Sequence, residues 1–191
     1  MNYKIGDWVR VRQWDDLCQK YRKDDRDFLL VDEVGFNTEM QKLCGRWGKI
    51  TNNIRGNVYR ISFKGVDYGW SWNDAMLESN EPYQVGDQVI VSSMDALDRD
   101  FDMNSSDKSA NPTFFTKYNF EFLFQDPVLA TIKDVTRKST GAYHYHIFSK
   151  EDTNLGTYLF SGYEFCPAVP TSLPQVVPTL SFSDLFSDAA M

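Results

Sequence analysis

The chain has 191 residues, of which 42% are hydrophobic and 15% aromatic, so it can form one large folded domain or two small ones. Its formal net charge is −7. The residues through Pro82 hold 13 acidic and 13 basic side chains, and the remainder holds 14 acidic and 7 basic ones. This distribution excludes the uniformly basic footprint that is typical of nucleic-acid binding.

No stretch of the sequence approaches the ~20 apolar residues that a transmembrane helix needs. The first residues, 1–7, reach charged and turn-forming residues at once, so we expect no secretory signal, no membrane association and a cytoplasmic location. The cysteines are odd in number and widely spaced, which predicts reduced thiols; they are Cys18, Cys44 and Cys166.

A short motif occurs twice, about 80 residues apart. Gly-Asp-Trp-Val-Arg-Val at 6–11 is matched by Gly-Asp-Gln-Val-Ile-Val at 86–91, and a tyrosine precedes each copy, at Tyr3 and Tyr83. The downstream segments also follow one order, with an apolar strand, a turn and a second strand in each half. The repetition predicts two tandem units, at 1–80 and 81–167.

In the first unit, alternating apolar residues predict strands at 8–11, 48–51 and 58–63. A turn at 52–57 contains asparagines and a glycine, which favour a hairpin. The polar stretch 14–32 is typical of a long loop with a helical turn. Asn37 or Thr38 can cap a short helix, which Gly45 would end.

The second unit has the same order of segments, with strands expected at 86–91, 130–133 and 143–148. An acidic, serine-rich segment lies at 92–111 and leads into an aromatic run at 114–124. Four prolines after Cys166 predict an extended linker, and residues 168–191 form a Pro-rich tail that can pack back on the protein or serve as a docking peptide.

The first half contains a series of motifs in a recognisable order, at Gly6 to Val11, Phe36, Met40, Leu43, Cys44, Gly45, Ile50, Tyr59 to Ile61, Trp70 to Trp72, Met76 and Leu77. In this order and spacing, the first half resembles a small SH3-like barrel module found in proteins of phages and mobile elements, and more distantly the mind bomb repeat. The second half departs from this pattern, because Tyr158 and Phe160 replace the two tryptophans. The resemblance implies a mostly β fold of two tandem SH3-like barrels with short helical insertions.

Three groups of residues are candidates for binding a partner. Side chains on the opposite side of the first strand from Val9 and Val11 are expected to be exposed, and an aromatic strip at 68–72 can grip a peptide or stack on bases, or else fill the barrel. Five aspartates at 95–107 form either a solvated loop or a surrogate for a phosphate backbone. The predicted partner-binding residues are Trp8, Arg10, Arg12, Trp14, Trp70, Trp72, Asp95, Asp98, Asp100 and Asp102.

Catalytic motifs are scarce in this sequence. His144 and His146 share one face of a predicted strand, but a third metal ligand would have to come from elsewhere, for example Cys166 or Asp152. No nucleophile, base and acid are paired by spacing. We therefore expect no enzyme activity, no catalytic residues, no cofactor and no metal.

The resemblance implies a non-catalytic phage or mobile-element protein in a host cell. We expect it to bind and inhibit a host nucleic-acid-handling protein, such as a CRISPR-type effector, in the manner of an anti-CRISPR protein, with the acidic second half meeting the partner. One alternative is a direct nucleic-acid-binding module that uses Arg10, Arg12, Arg46 and Trp70. Another is an accessory protein of the virion.

Overall fold

A computed structural model describes residues 3–24, 28–79, 83–115, 126–139, 142–150 and 158–167. The described part is mostly β with a few short helices, as the sequence predicted. The predicted tail at 168–191 lies outside the described residues, as does most of the aromatic run at 114–124. Among the described helices, none has both the length and the apolar character that a membrane crossing requires.

The elements of the first half follow closely on one another. In chain order they are β1 (Trp8–Val11), α1 (Trp14–Lys20), β2 (Leu29–Val31), β3 (Val34–Phe36), α2 (Thr38–Gln41), β4 (Trp47–Arg55), β5 (Val58–Phe63), β6 (Val66–Asp67), β7 (Trp72–Asn73), a 3₁₀ turn (Asp74–Met76) and β8 (Leu77–Ser79). Stretch 14–32, predicted to be a long loop with a helical turn, contains helix α1 and the first strand of a hairpin, β2. Asn37 caps α2 as expected, since its side chain accepts a hydrogen bond from Met40 N at 2.8 Å.

The second half repeats the main elements of the first. They are β9 (Gln88–Val91), α3 (Met94–Asp100), β10 (Val128–Arg137), β11 (Tyr143–Phe148), a 3₁₀ turn (Gly162–Glu164) and β12 (Phe165–Pro167). The sheet of the first half has the order β6-β5-β4-β1-β8, with β7 also paired to β5, and that of the second half has the order β11-β10-β9-β12. The series β5-β4-β1-β8 and β11-β10-β9-β12 are therefore equivalent.

The repeated Gly-Asp motif forms the same turn in both halves. Gly6 and Gly86 have φ values of +97° and +98°, a left-handed conformation that glycine adopts without a Cβ clash. Gly6 N donates to Ile50 O at 2.8 Å, and Gly86 N donates to Ile132 O at 2.9 Å. The aspartate that follows each glycine accepts from a backbone N–H three residues before it. The first turn thus links the start of β1 to β4 by a hydrogen bond, and the second turn links the start of β9 to β10 in the same way.

Among the described residues neither sheet closes on itself, so the structure does not confirm the predicted SH3-like barrels. Each sheet instead covers its own hydrophobic cluster. The clusters are not fully separate, because Trp47 of β4 in the first half is 5% exposed and belongs to the cluster of the second half. The expectation of two self-contained units is wrong in this respect. No feature of the structure tests the predicted boundaries at 80 and 167.

Candidate partner-binding surface

A series of aromatic rings crosses the first half from one surface to another. Trp14 packs on Phe36 with ring centroids 5.7 Å apart, and Phe36 meets Trp72 at 5.8 Å. Trp72 contacts Trp70 at 6.4 Å, and Trp70 stacks on Tyr68 at 5.0 Å. Phe36 and Trp72 are buried, whereas the rings at the two ends reach the surface. The buried rings therefore support the exposed ones.

The exposed end of this series is the aromatic pair of Tyr68 and Trp70. Their rings are nearly parallel, with an interplanar angle of 13°, and Tyr68 is 47% exposed. Gly69 between them has φ +72°, and its N–H donates to Asp67 Oδ1 at 2.7 Å. The Arg60 guanidinium donates to Gly69 O from the neighbouring strand β5. These contacts fix the loop that carries the pair.

The structure separates the three rings that the sequence placed on one strand face. Only Trp72 lies in a strand, and it is 1% exposed, so its ring is enclosed in the core and its role in partner binding stays a prediction. Its ring is enclosed because β7 turns inward to pair with β5. Trp70 is half-buried and remains accessible. The alternative that some of these rings fill the core holds for Trp72.

Strand β1 is covered on both faces, which changes the expected surface around it. Trp8 is half-buried, and its ring meets Phe101 of the second half at 5.0 Å. Arg10 is 5% exposed; its Nε pairs with Glu78 and its Nη1 donates to Phe165 O at 3.5 Å. The prediction of a surface position for Arg10 is therefore wrong, because the second half packs against the face that the sequence assigned to solvent.

Arg12 and Trp14 lie beyond the covered part of β1. The Arg12 side chain is 43% exposed and its Nη1 lies 3.9 Å from Glu78 Oε2. Trp14 is half-buried, and the ammonium of Lys23 lies 4.9 Å from its ring centroid. Both side chains can be reached from solvent, so their role in partner binding stays a prediction.

The acidic segment after β9 divides into internal and exposed carboxylates. Asp100 is buried, with 3% of its side chain exposed, and binds Arg46 of the first half at 2.8 Å, so its predicted exposure is wrong. Asp98 lies 3.5 Å from Lys64 of the first half. Asp95 and Asp102 are exposed. Two of the four predicted aspartates thus join the halves of the chain, and two face solvent.

A buried amide holds the loop that follows Asp102. Asn111 is 0% exposed, and its Nδ2 donates to Ser105 O at 3.2 Å and to Phe115 O at 2.9 Å. Its Oδ1 accepts from the Thr113 hydroxyl at 2.6 Å. Asn111 could not be identified from the sequence, because nothing in a polar, serine-rich stretch indicates that one asparagine is buried.

Asp107, at the tip of this loop, is exposed and ionised. Its side chain accepts from Ser109 N at 2.8 Å and from the Ser109 hydroxyl at 2.7 Å, and these hydrogen bonds lower the pKa of the carboxyl group. The loop therefore presents a fixed negative charge at Asp107 together with that of Asp102.

The described residues contain no group of three or more His, Cys, Asp or Glu side chains that could hold a metal ion. His144 and His146 lie on β11, as the sequence predicted. The ring of His144 packs against Phe114, with centroids 4.5 Å apart. The side chain of Cys166 and residue 152, which were considered as further ligands, lie outside the part of the chain that is described.

No protein-family model matches this chain, and a search of the curated proteins gives no significant match. The likeness to an SH3-like module therefore rests on the residues quoted above.

Proposed function

We propose that the chain is a non-catalytic recognition module that binds another protein through the aromatic pair of Tyr68 and Trp70. One observation carries this proposal: two rings are stacked and held at the surface by a buried aromatic series and by the Arg60–Gly69 contact. Ordered aromatic side chains lose little conformational freedom on binding, so they contribute much of the affinity at protein interfaces.

The charge of the chain favours a partner with a basic surface. The net charge is −7, and the exposed carboxylates Asp95, Asp102 and Asp107 lie on one short segment of the second half. A basic groove that normally holds nucleic acid would attract such carboxylates. We therefore propose a nucleic-acid-handling host protein as the partner, and inhibition of the anti-CRISPR type as the consequence, in agreement with the phage module that the first half resembles.

Direct nucleic-acid binding is the weaker proposal. It relied on three arginines, but Arg10 pairs with Glu78, and Arg46 binds Asp100 with a side chain that is 16% exposed. A guanidinium that is already bound to a carboxylate adds little attraction for a phosphate. Arg12 remains accessible, and no described contact favours the virion role over protein binding.

We propose further that each half derives from an SH3-like small barrel. The support is the equivalent strand order in the two sheets and the identical Gly-Asp turns. A crystal structure of the full chain would test this proposal, because each of the two sheets would have to close around its own hydrophobic cluster.

The experiment uses the full chain as bait in a host lysate, followed by purification of the captured protein and titration calorimetry. We expect Tyr68→Ala to weaken binding about thirtyfold or more, as for a central aromatic contact. The matched control is Phe148→Ala in the second half, which is 42% exposed and should bind as the wild type does.

A second arm tests the acidic part of the surface. The double substitution of Asp102 and Asp107 by Asn should weaken binding and reduce its dependence on salt. Equal affinity for wild type and Tyr68→Ala would refute the aromatic surface. Binding that is insensitive to both salt and the double substitution would refute the basic partner.

A further inference from the structure

A cavity lies between Trp8 of the first half and residues of the second half. Its volume is about 520 Å³, within the range of about 300–1,000 Å³ that is typical of small-molecule sites. Half of its lining residues carry aromatic rings, and the residues used below are Trp8, Lys108, Phe114, Tyr143, His144 and Tyr163. We call this space the Trp8 cleft.

The two aromatic walls of the Trp8 cleft are fixed from behind. Trp8 and Tyr163 both pack on the buried Phe101, with centroid distances of 5.0 and 6.2 Å. On the other wall, Phe114 meets the ring of His144 edge to face, at an interplanar angle of 85°. The wall of Trp8 and Tyr163 is therefore supported by the core of the second half, and the two rings of the other wall pack on each other. Rigid aromatic walls favour a planar ring as the occupant.

One residue that lines the Trp8 cleft has a polar atom without a hydrogen bond. Nδ1 of His144 is itself buried, although the residue is only half-buried, and it has no partner among the described residues. Burial and, secondarily, the charge of Lys138 lower the pKa of His144, so the imidazole is neutral near pH 7. A neutral imidazole with its proton on Nε2 offers Nδ1 as an acceptor. Because a buried polar atom without a partner is costly, the site is complementary to a ligand with an N–H donor.

A cation stands at the same cleft. The Lys108 ammonium group donates to the neutral carbonyl oxygen of Thr113 at 2.5 Å, and Lys108 is exposed to solvent. An ammonium group beside an aromatic cleft favours a ligand whose planar ring carries an anionic group.

We propose that the Trp8 cleft binds a purine nucleotide, with the base between Trp8 and the wall of Phe114 and His144. On binding, the half-buried imidazole of His144 turns so that Nδ1, which solvent does not reach in the free protein, accepts from a base N–H, and the phosphate lies near Lys108. The same chemistry is present in a free nucleotide and in a base of a single strand. This site is separate from the aromatic pair of Tyr68 and Trp70 and does not depend on the proposed protein partner.

The test titrates the full chain with adenosine monophosphate, adenosine, ribose 5-phosphate and an oligomer of deoxyadenosine, with heat and nuclear magnetic resonance as readouts. We expect saturable binding of the monophosphate, weaker binding of adenosine and none of ribose 5-phosphate. Binding of the oligomer alone would identify a base within a single strand as the ligand. Absence of binding by all base-containing probes, or equal binding of ribose 5-phosphate, would overturn the proposal.

Two substitutions assign the contacts. His144→Phe keeps a ring against Phe114 but removes the acceptor, and should weaken nucleotide binding about tenfold. The matched control is His146→Phe on the same strand, outside the cleft, which should leave binding unchanged. Lys108→Ala should weaken the monophosphate but not adenosine. Equal effects of the two histidine changes would overturn the assignment.

A measurement on the wild-type chain tests the same contact without depending on whether the variants fold. The ¹⁵N resonance of His144 Nδ1 should shift on addition of the monophosphate, because the atom gains a hydrogen bond. The resonances of His146 should stay in place. An unshifted His144 at saturating nucleotide would refute the contact.

Discussion

The carboxylate of Asp100 binds the guanidinium of Arg46 across the two halves of the chain, with Oδ1 2.8 Å from Nε. The other carboxylate oxygen accepts from the backbone N–H of Trp47 at 3.1 Å, next to the indole that enters the second core. Helix α3 thus holds strand β4 by a buried charge and a buried ring at adjacent residues.

Removal of the Asp100 carboxylate should lower the stability of both halves of the chain. We expect Asp100→Ala to lower the free energy of unfolding by about 3 kcal/mol, because it removes the buried carboxylate that accepts from Arg46 Nε and from the Trp47 N–H. The measurement is urea denaturation followed by tryptophan fluorescence. The control is Asp98→Ala, whose carboxylate lies 3.5 Å from Lys64 and is 37% exposed, with an expected change below about 1 kcal/mol. Similar losses for both substitutions would contradict the role of Asp100.

Glu164 should make the free energy of unfolding fall as pH rises, which is opposite to the effect of most carboxylates in folded proteins. Burial raises its pKa to about 7, while Ser161 and the backbone N–H of Phe114 donate hydrogen bonds that act the other way. The folded state therefore holds a proton that the unfolded state releases at a lower pH. The resulting stability is full below the unfolded pKa of about 4.5 and is lost as pH rises through about 7.

The measurement compares urea denaturation of wild type and Glu164→Gln at pH 5 and at pH 8. We expect the wild type to lose on the order of 3 kcal/mol more than the variant between these values, since glutamine does not titrate. The difference between the two proteins isolates Glu164 from other titrating groups. An equal loss in both would show that this carboxyl group is not the cause.

The repeat offers a matched pair of tyrosines. Tyr59 OH accepts from Tyr3 N at 3.3 Å and donates to Asp74 Oδ1 at 2.9 Å, whereas Tyr145 OH accepts from Tyr83 N at 3.2 Å. We expect Tyr59→Phe to cost about 2 kcal/mol and Tyr145→Phe about 1 kcal/mol, because the first also removes a hydrogen bond to the charged Asp74 carboxylate. Thermal and urea unfolding of the two variants test the order, and a larger loss for Tyr145→Phe would contradict it.

Gly48 marks a difference between the two sheets. A Cβ at Gly48 would lie 2.5 Å from Ile61 Cγ2 and 2.9 Å from Phe63 Cε1, whereas the equivalent strand position in the second half is Ala130. Ser149 stands where the first half has Phe63, which leaves room for that methyl group.

We therefore expect Gly48→Ala to lower the free energy of unfolding by about 1–3 kcal/mol through overpacking. The same substitution in an Ile61→Leu background should cost less, because leucine lacks the Cγ2 methyl group at the point of contact. A urea-denaturation cycle of the four proteins measures this coupling. Strict additivity would show that the contact with Ile61 is not the source of the loss.

The sequence by itself determined the repeat, since the Gly-Asp turn depends on local chemistry. Glycine supplies a positive φ, and the aspartate that follows it accepts from a nearby N–H, so residues close in sequence are sufficient. The strands at β1, β5 and β11 and the cap at Asn37 followed from the same local rules. Helix α1 was predicted only as a helical turn within a loop, because most of its residues are polar.

Only the tertiary structure decided which side chains of each unit remain accessible. Arg10 and Asp100 were predicted to be exposed from a period-two pattern and a charged segment, but each is buried by contacts with the opposite half. A strand pattern distinguishes two faces, yet it does not show whether a second layer covers the polar one. The Trp8 cleft likewise joins residues more than 100 positions apart, so packing between the halves created it.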